Sequence, residues 1–293
     1  MVNIREKRIS ELLLVYHAKK GDSVALLDLL DDSEIPERVY NSNAIENSTL
    51  TLAETEKILL QLEISRKIPL REAFEAKNLA LVYNYVKKTA PAKPLNIDMM
   101  LLLHKMLMTN INDEIGGRFR QGNEMVRVGT HIAVPPEFIS ERMRESLATL
   151  DKEVNMGYLF AVAGFHAVFE NIHPFVDGNG RIGRVLNNYL LIRNGLPPII
   201  VRNKEKNAYY DALSSYDRNH NVEPMLKVFE LALLESLHKR IAYMLKQRIV
   251  LLSEFAQKSD RSFHSLLNSA RRQNIPAFRE KGVWKIGVGQ GER

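Results

Sequence analysis

Residues 173–184 read HPFVDGNGRIGR and concentrate groups that can act on a phosphate. His173 carries an imidazole that titrates near neutrality, which suits a general base. Asp177 offers one carboxylate, enough for a Mg2+ ion whose remaining ligands are phosphate oxygens and water. Arg181 and Arg184 stand three apart, so a helix puts both guanidinium forks on one face, where they match phosphate oxygens. Gly178 and Gly180 admit positive φ and let a ligand approach the backbone. The amides from Gly178 to Ile182 open the next helix, and their N–H groups face one concavity with the positive end of its dipole: a nest for a polyphosphate. Phe175 is the apolar residue that fixes the loop on the core. A solvated turn needs none of this.

Two helices must hold that loop. Residues 157–172, GYLFAVAGFHAVFENI, place Val162, Phe165, Phe169 and Ile172 on one face. Beyond the loop, Ile182, Val185, Leu186, Tyr189 and Leu190 follow the helical spacing until Asn194-Gly195 stops it before Pro197 and Pro198. Other helical signals cover 49–67, with a capping-box pair Thr51 and Glu54, 69–88, and 96–111 with Asn96 or Asp98 as cap. Segment 124–136, EMVRVGTHIAVPP, alternates around Gly129 and reads as a hairpin on an otherwise helical body. From about residue 249 come two short helices and PAFREKGVWKIG, a second hairpin turning at Lys281-Gly282. The fold class is all-α. His166, inside the apolar helix, reads as structural, and His104 and His131 make no case for chemistry.

At 293 residues, 45% hydrophobic and 26% charged, the chain has an ordinary globular composition. It has no cysteine, which excludes disulfides and thiolate metal sites. No apolar run is long enough for a signal peptide core or a membrane span, so the expectation is a cytoplasmic protein without a membrane partner. Residues 239–293 hold twelve Lys and Arg against four Asp and Glu, a surplus of eight that leaves −2 for the rest. Attraction to nucleic acid therefore belongs to the tail.

HPFVDGNGRIGR resembles the Fic signature H-x-F-x-[DE]-G-N-G-R-x-x-R at every specified position. The resemblance extends over roughly residues 36–235 through GRFR at 117–120, the hairpin ending in Pro135-Pro136, NGLPPI after the motif helix and YYDAL at 209–213. It implies a helical bundle with a β-hairpin flap and a protein adenylyltransferase activity, in which AMP passes from ATP to a Ser, Thr or Tyr hydroxyl of a target, the enzyme itself included. His173 would take the hydroxyl proton and Asp177 would hold Mg2+. Gly178, Asn179, Gly180, Arg181, Ile182 and Gly183 would cradle the phosphates, Arg184 would hold the γ-phosphate, and Tyr210 would line the adenine pocket. The flap, Met125, Val126, Arg127 and Val128, would fix the target by strand addition. Gly180 stands where the kinase-like Doc branch has lysine, which favours AMP transfer.

SNAIEN, residues 42–47, resembles the inhibitory pattern [ST]-x-x-x-E-[GN] of the same family. Glu46 would pair with Arg184, with Ser42 opening the pattern, and restrain the enzyme from within. The tail resembles an excisionase-like winged helix-turn-helix: Trp284 anchors the wing, and Arg271, Arg272, Arg279, Lys281 and Lys285 could face DNA phosphates. Docking of a protein or of a second copy is as compatible with its charge. The division expected is 1–95, an N-terminal helical region with the inhibitory helix; 96–238, the Fic core; and 239–293, the basic tail. Two other readings stay open, a DNA-binding regulator that senses nucleotide and a net remover of AMP. A homodimer is a further expectation.

Overall fold

The computed structural model of the chain describes residues 4–62, 67–128, 131–153 and 157–289. In chain order the helices are α1 (Ile4–Lys20), α2 (Val24–Ile45), α3 (Leu52–Leu59), α4 (Leu70–Thr89), α5 (Ile97–Met108), α6 (Pro136–Glu153), α7 (Tyr158–Ile172), α8 (Asn179–Arg193), α9 (Lys206–Asn219), α10 (Glu223–Met244), α11 (Leu252–Gln257) and α12 (Phe263–Arg271). The strands are short: β1 (Arg127–Val128), β2 (His131–Ile132), β3 (Arg248–Leu251), β4 (Ala277–Glu280) and β5 (Val283–Val288). The described residues are therefore mostly helical with two small sheets, as the periodicity predicts.

Two compact units divide the chain: 1–34 with 197–200 and 229–293, and 35–196 with 201–228. This differs from the division expected at 95 and 238. Residues 35–95 pack in the same unit as the motif, and the boundary near the C-terminal end of that unit falls at 228/229 within α10, ten residues before 238.

The motif-bearing unit is built around α7 and α8. The α7 helix packs on α6 and α8, and α8 packs on α4 and α5. Val162, Phe169, Ile182, Val185, Leu186 and Tyr189 are buried, so the faces read from spacing are the core faces. Thr51 and Glu54 make both bonds of the capping box at α3. That helix stops at Leu59, earlier than its apolar period suggests, and the rest of the expected helix falls partly on residues outside those described. Asn96 caps α5 through the Met99 N–H at 2.8 Å. The first hairpin pairs Arg127 with Ile132 and Val128 with His131; its turn at Gly129 lies outside the described residues.

In the other unit, β3, β5 and β4 form an antiparallel sheet in that order. The hairpin turns at Lys281 and Gly282, both at positive φ, as expected, while β3 carries no signal that sequence reading found. Leu252, Leu266, Ala270, Ala277, Ile286 and Val288 form its small core, with Trp284 packed against it. Among the cations read as phosphate-facing, Arg279 and Lys285 are engaged internally. Arg279 forks onto Glu235, with Nη2 at 2.6 Å, and lies over the Trp284 ring, while Lys285 pairs with Glu280 at 2.6 Å. Arg240, almost fully buried, binds Asp31 and Glu34, which ties residues before 35 to α10.

Candidate functional site at the start of the motif helix

The loop is closed by backbone conformation and by one buried side chain. His173 terminates α7 in the left-handed region (φ 51°, ψ 61°), its N–H donating to the Phe169 carbonyl at 2.9 Å. Gly178 precedes α8 at φ 80°, a conformation that favours glycine, and no side chain caps that helix start. Phe175 is fully buried and stacks on His104 with ring centroids 3.8 Å apart. The Asn179 side chain brackets Phe175, donating to its carbonyl and accepting from its N–H, both at 2.8 Å. That corrects one expectation: Asn179 pins the loop, and only its backbone is left to face a phosphate.

Gly180 also departs from expectation. It sits inside α8 with ordinary helical backbone, so positive φ is not the reason for glycine. Space is: a Cβ there would lie 2.1 Å from Oε1 of Glu46.

Ion pairs set the charges. Asp177 Oδ1 accepts from the Gly178 N–H at 2.6 Å and from Arg181 Nη2 at 3.0 Å, and its Oδ2 accepts from Arg71 Nη2 at 2.5 Å. Burial alone would raise this carboxyl, but Arg181, the Gly178 N–H and Arg71 hold it below its ordinary value. Glu75 Oε1 binds both arginines, Arg71 Nε at 3.0 Å and Arg181 Nη1 at 3.1 Å. These groups line a cleft of about 350 Å3 together with Asn43, Glu46, Asn47 and Ser48.

The end of α2 reaches the same place. Arg184 donates from Nε to Ser42 Oγ at 3.0 Å, and from Nη2 to the Ser42 carbonyl and to Glu46 Oε1, both at 2.8 Å. Burial opposes its charge, but Glu46 and neighbouring groups more than compensate and raise its pKa. Asn47 follows at φ 66°; it donates to the Ala44 carbonyl and Ser48 donates to that of Asn43, a Schellman closure that fixes Glu46 at the helix end. That left-handed position is one Gly or Asn adopts most readily. Glu37 with Arg202, and Asn41 with the Asn203 N–H, dock the same helix segment.

Burial pushes the His173 imidazole down to about 4, so the ring is neutral at physiological pH. Its position is held by Arg120, nearly fully buried, which donates to the carbonyls of His173, Ile172, Glu124 and Val134 at 2.7–3.2 Å. One side chain thus ties the His173 loop to both ends of the hairpin. Met125, Arg127 and Val128 are exposed, and Val126 accepts from the Ala133 N–H at 3.1 Å. Tyr210 donates its hydroxyl to the Ile45 carbonyl at 2.8 Å, beside Glu46. His166 is fully buried against the Tyr209 hydroxyl.

Sequence reading missed four residues. Arg71 and Glu75 lie a turn apart on α4, a spacing that signals a surface pair and nothing about Asp177. His104 donates from Nε2 to the Asp177 carbonyl and accepts the Gly117 N–H on Nδ1, a neutral tautomer that burial also favours, with its pKa pushed down to about 4. Glu170 is held mostly protonated: burial, opposed by Arg184, pushes its carboxyl up to about 8. Gly183 leaves room for it, since a Cβ there would lie 2.4 Å from Glu170 Oε1.

Among the described residues no cluster of three or more His, Asp or Glu could cage a metal. Asp177 alone, beside an anion-binding helix start, fits a Mg2+ ion that arrives with phosphates.

Residues 94–191 match the model of the Fic/DOC family. A protein adenylyltransferase Fic from Nematostella vectensis is 32% identical over 200 residues, which is 65% of this chain and 45% of that protein. The chain spans less than half the length of the curated relatives it matches. A Fic domain containing signaling protein from Bacteroides thetaiotaomicron VPI-5482 superposes with a TM-score of 0.70 at 24% identity, covering 82% of this chain and 98% of that one. A Fic family protein from Desulfovibrio desulfuricans G20 covers 100% of this chain and 98% of its own, with a TM-score of 0.65 at 23% identity. These two likenesses establish the fold.

Proposed function

We propose that this chain, in which residues 94–191 form a Fic/DOC family domain, is a protein adenylyltransferase restrained by its own Glu46. A Ser, Thr or Tyr hydroxyl of a target protein, or of the enzyme itself, attacks the α-phosphorus of ATP. The bond from that phosphorus to the bridging oxygen breaks, pyrophosphate leaves, and the hydroxyl proton passes to His173. An imidazole that is neutral at physiological pH, half-buried at the end of α7, supports that role.

The amides at the start of α8, with Arg181 and Arg184, hold the phosphates by position and charge. Asp177 would hold Mg2+, which when bound offsets phosphate charge. The exposed edge of β1 aligns a target strand beside the base. Glu46 occupies Arg184 and so keeps it from the γ-phosphate.

The observation that carries this reading is the convergence on one cleft of a helix start without a side-chain cap, Asp177 and Arg181, with Glu46 beside them. Its test is incorporation of label from ATP by the Glu46→Gly form. Replacing His173 by Ala in that form should abolish incorporation; persistence would end the reading. A second reading, net removal of AMP, draws on the Glu46 carboxylate, part-exposed at the cleft, and is tested on protein modified beforehand.

No described helix is long and apolar enough to cross a membrane. A cytoplasmic enzyme, able to pair with a second copy, is the setting proposed. For the tail, DNA remains a proposed partner through Arg271 and Arg272, with Arg279 and Lys285 already engaged.

A further inference from the structure

Resting on the nucleotide reading of the cleft, we infer that Arg71 is an additional phosphate-binding residue that competes with the divalent cation for Asp177. The geometry of one carboxylate points there. Oδ1 is saturated by the Gly178 N–H and Arg181 Nη2, at 2.6 and 3.0 Å, which leaves Oδ2 as the oxygen available to a cation. Arg71 Nη2 occupies Oδ2 at 2.5 Å. Two positive groups cannot both hold one oxygen at such distances without strong repulsion. A cation that binds Asp177 must therefore displace this guanidinium.

What Arg71 does next follows from its second anchor. Its Nε stays bound to Glu75 Oε1 at 3.0 Å, and the same oxygen holds Arg181 Nη1 at 3.1 Å. Released from Asp177, the guanidinium remains beside Arg181 at the wall of the same cleft. Its side chain is 59% exposed, against 5% for Arg181, so Arg71 can turn while Arg181 stays fixed.

Charge supplies the reason for such a residue. Glu46, Glu72, Glu75 and Asp177 line the cleft against Arg71 and Arg181 alone, a surplus of negative charge that repels a polyphosphate. When a cation takes over Asp177, that carboxylate is neutralised without Arg71. The guanidinium is then free for the anion, and metal loading and nucleotide docking support each other.

The test uses the full chain with Arg71→Gln and Arg71→Lys. Mn2+ is the metal probe, followed by loss of the free-ion electron paramagnetic resonance signal in the absence of nucleotide. ATP binding is measured by calorimetry in saturating Mn2+. Arg71→Gln should bind Mn2+ alone about threefold more tightly and ATP in the presence of Mn2+ about five- to tenfold more weakly, opposite shifts that general destabilisation does not produce. Arg71→Lys should fall between Gln and the parent in both.

If the parent binds ATP and Arg71→Gln matches it in both measurements, or weakens both together, the role of Arg71 is refuted and the cleft's reading survives. If the parent binds no ATP with or without Mn2+, the nucleotide reading itself fails.

Discussion

Removing Glu46 should release Arg184 without moving it, and the structure sets the size of the effect. The 2.8 Å bond from Arg184 Nη2 to Glu46 Oε1 is charge-assisted, of a kind that contributes about 1.5–3 kcal/mol. The Glu46 side chain is 39% exposed, so solvent screening places it at the lower end, about 1.5 kcal/mol. That corresponds to roughly a tenfold change in the population with Arg184 free. Ser42 keeps two bonds to the arginine, so the guanidinium stays in place for a γ-phosphate. Glu46→Gly should thus raise the initial rate of self-labelling from α-phosphate-labelled ATP about tenfold.

Gly180 provides an independent way to the same end. A Cβ on residue 180 would stand 2.1 Å from Glu46 Oε1 and 3.1 Å from Arg184 Nη1, so the carboxylate must leave. Gly180→Ala should therefore increase labelling in the parent and give no increase in the Glu46→Gly form. Equal labelling by parent and Glu46→Gly, or the same increase from Gly180→Ala in both backgrounds, would refute the reasoning.

Three further outcomes follow from the buried groups. With the imidazole pKa pushed down to about 4, kcat/KM should stay flat from pH 8 to about 5 and fall only below that; a midpoint near 6.5 would contradict a desolvated base. Glu170, raised from 4.5 to about 8, favours folding at low pH, and that contribution is lost as pH rises through 8. Its residue is only half-buried although its Oε1 is sealed, so the parent should lose about 1 kcal/mol between pH 7 and 9 by denaturant titration, and Glu170→Gln should not. Arg120→Met leaves four carbonyls without their donor and should cost about 3 kcal/mol or more, with labelling of a protein target lost along with stability; a melting temperature unchanged from the parent would show that the hairpin is held some other way.

What could be read from the chain was whatever neighbours in sequence decide. The capping box at Thr51, the Asn96 cap, the core faces of α7 and α8 and the turn at Lys281-Gly282 all depend on residues within a few positions of one another. The resemblance of SNAIEN to an inhibitory pattern brought Glu46 to Arg184, a pair separated by 138 positions that no local rule connects. Arg71 and Asp177 are 106 positions apart and carry no such pattern, so their meeting needed coordinates. Glycine near a motif suggests a backbone hinge, whereas the actual constraint on Gly180 is a carboxylate from another helix. The motif suggests an Asn179 side chain that faces the ligand, but the buried peptide groups of Phe175 demand partners and take its amide first. In the tail, net positive charge was legible but its pairing was not: Glu235, 44 positions from Arg279, holds it.

Which phosphate the protein keeps is the most direct measurement. The Glu46→Gly form, incubated in parallel with ATP labelled at the α- or at the γ-phosphate, should become covalently labelled from the α position alone and lose that label when His173 is Ala. Label retained from the γ position, or α label that survives without His173, would contradict nucleotidyl transfer at this loop.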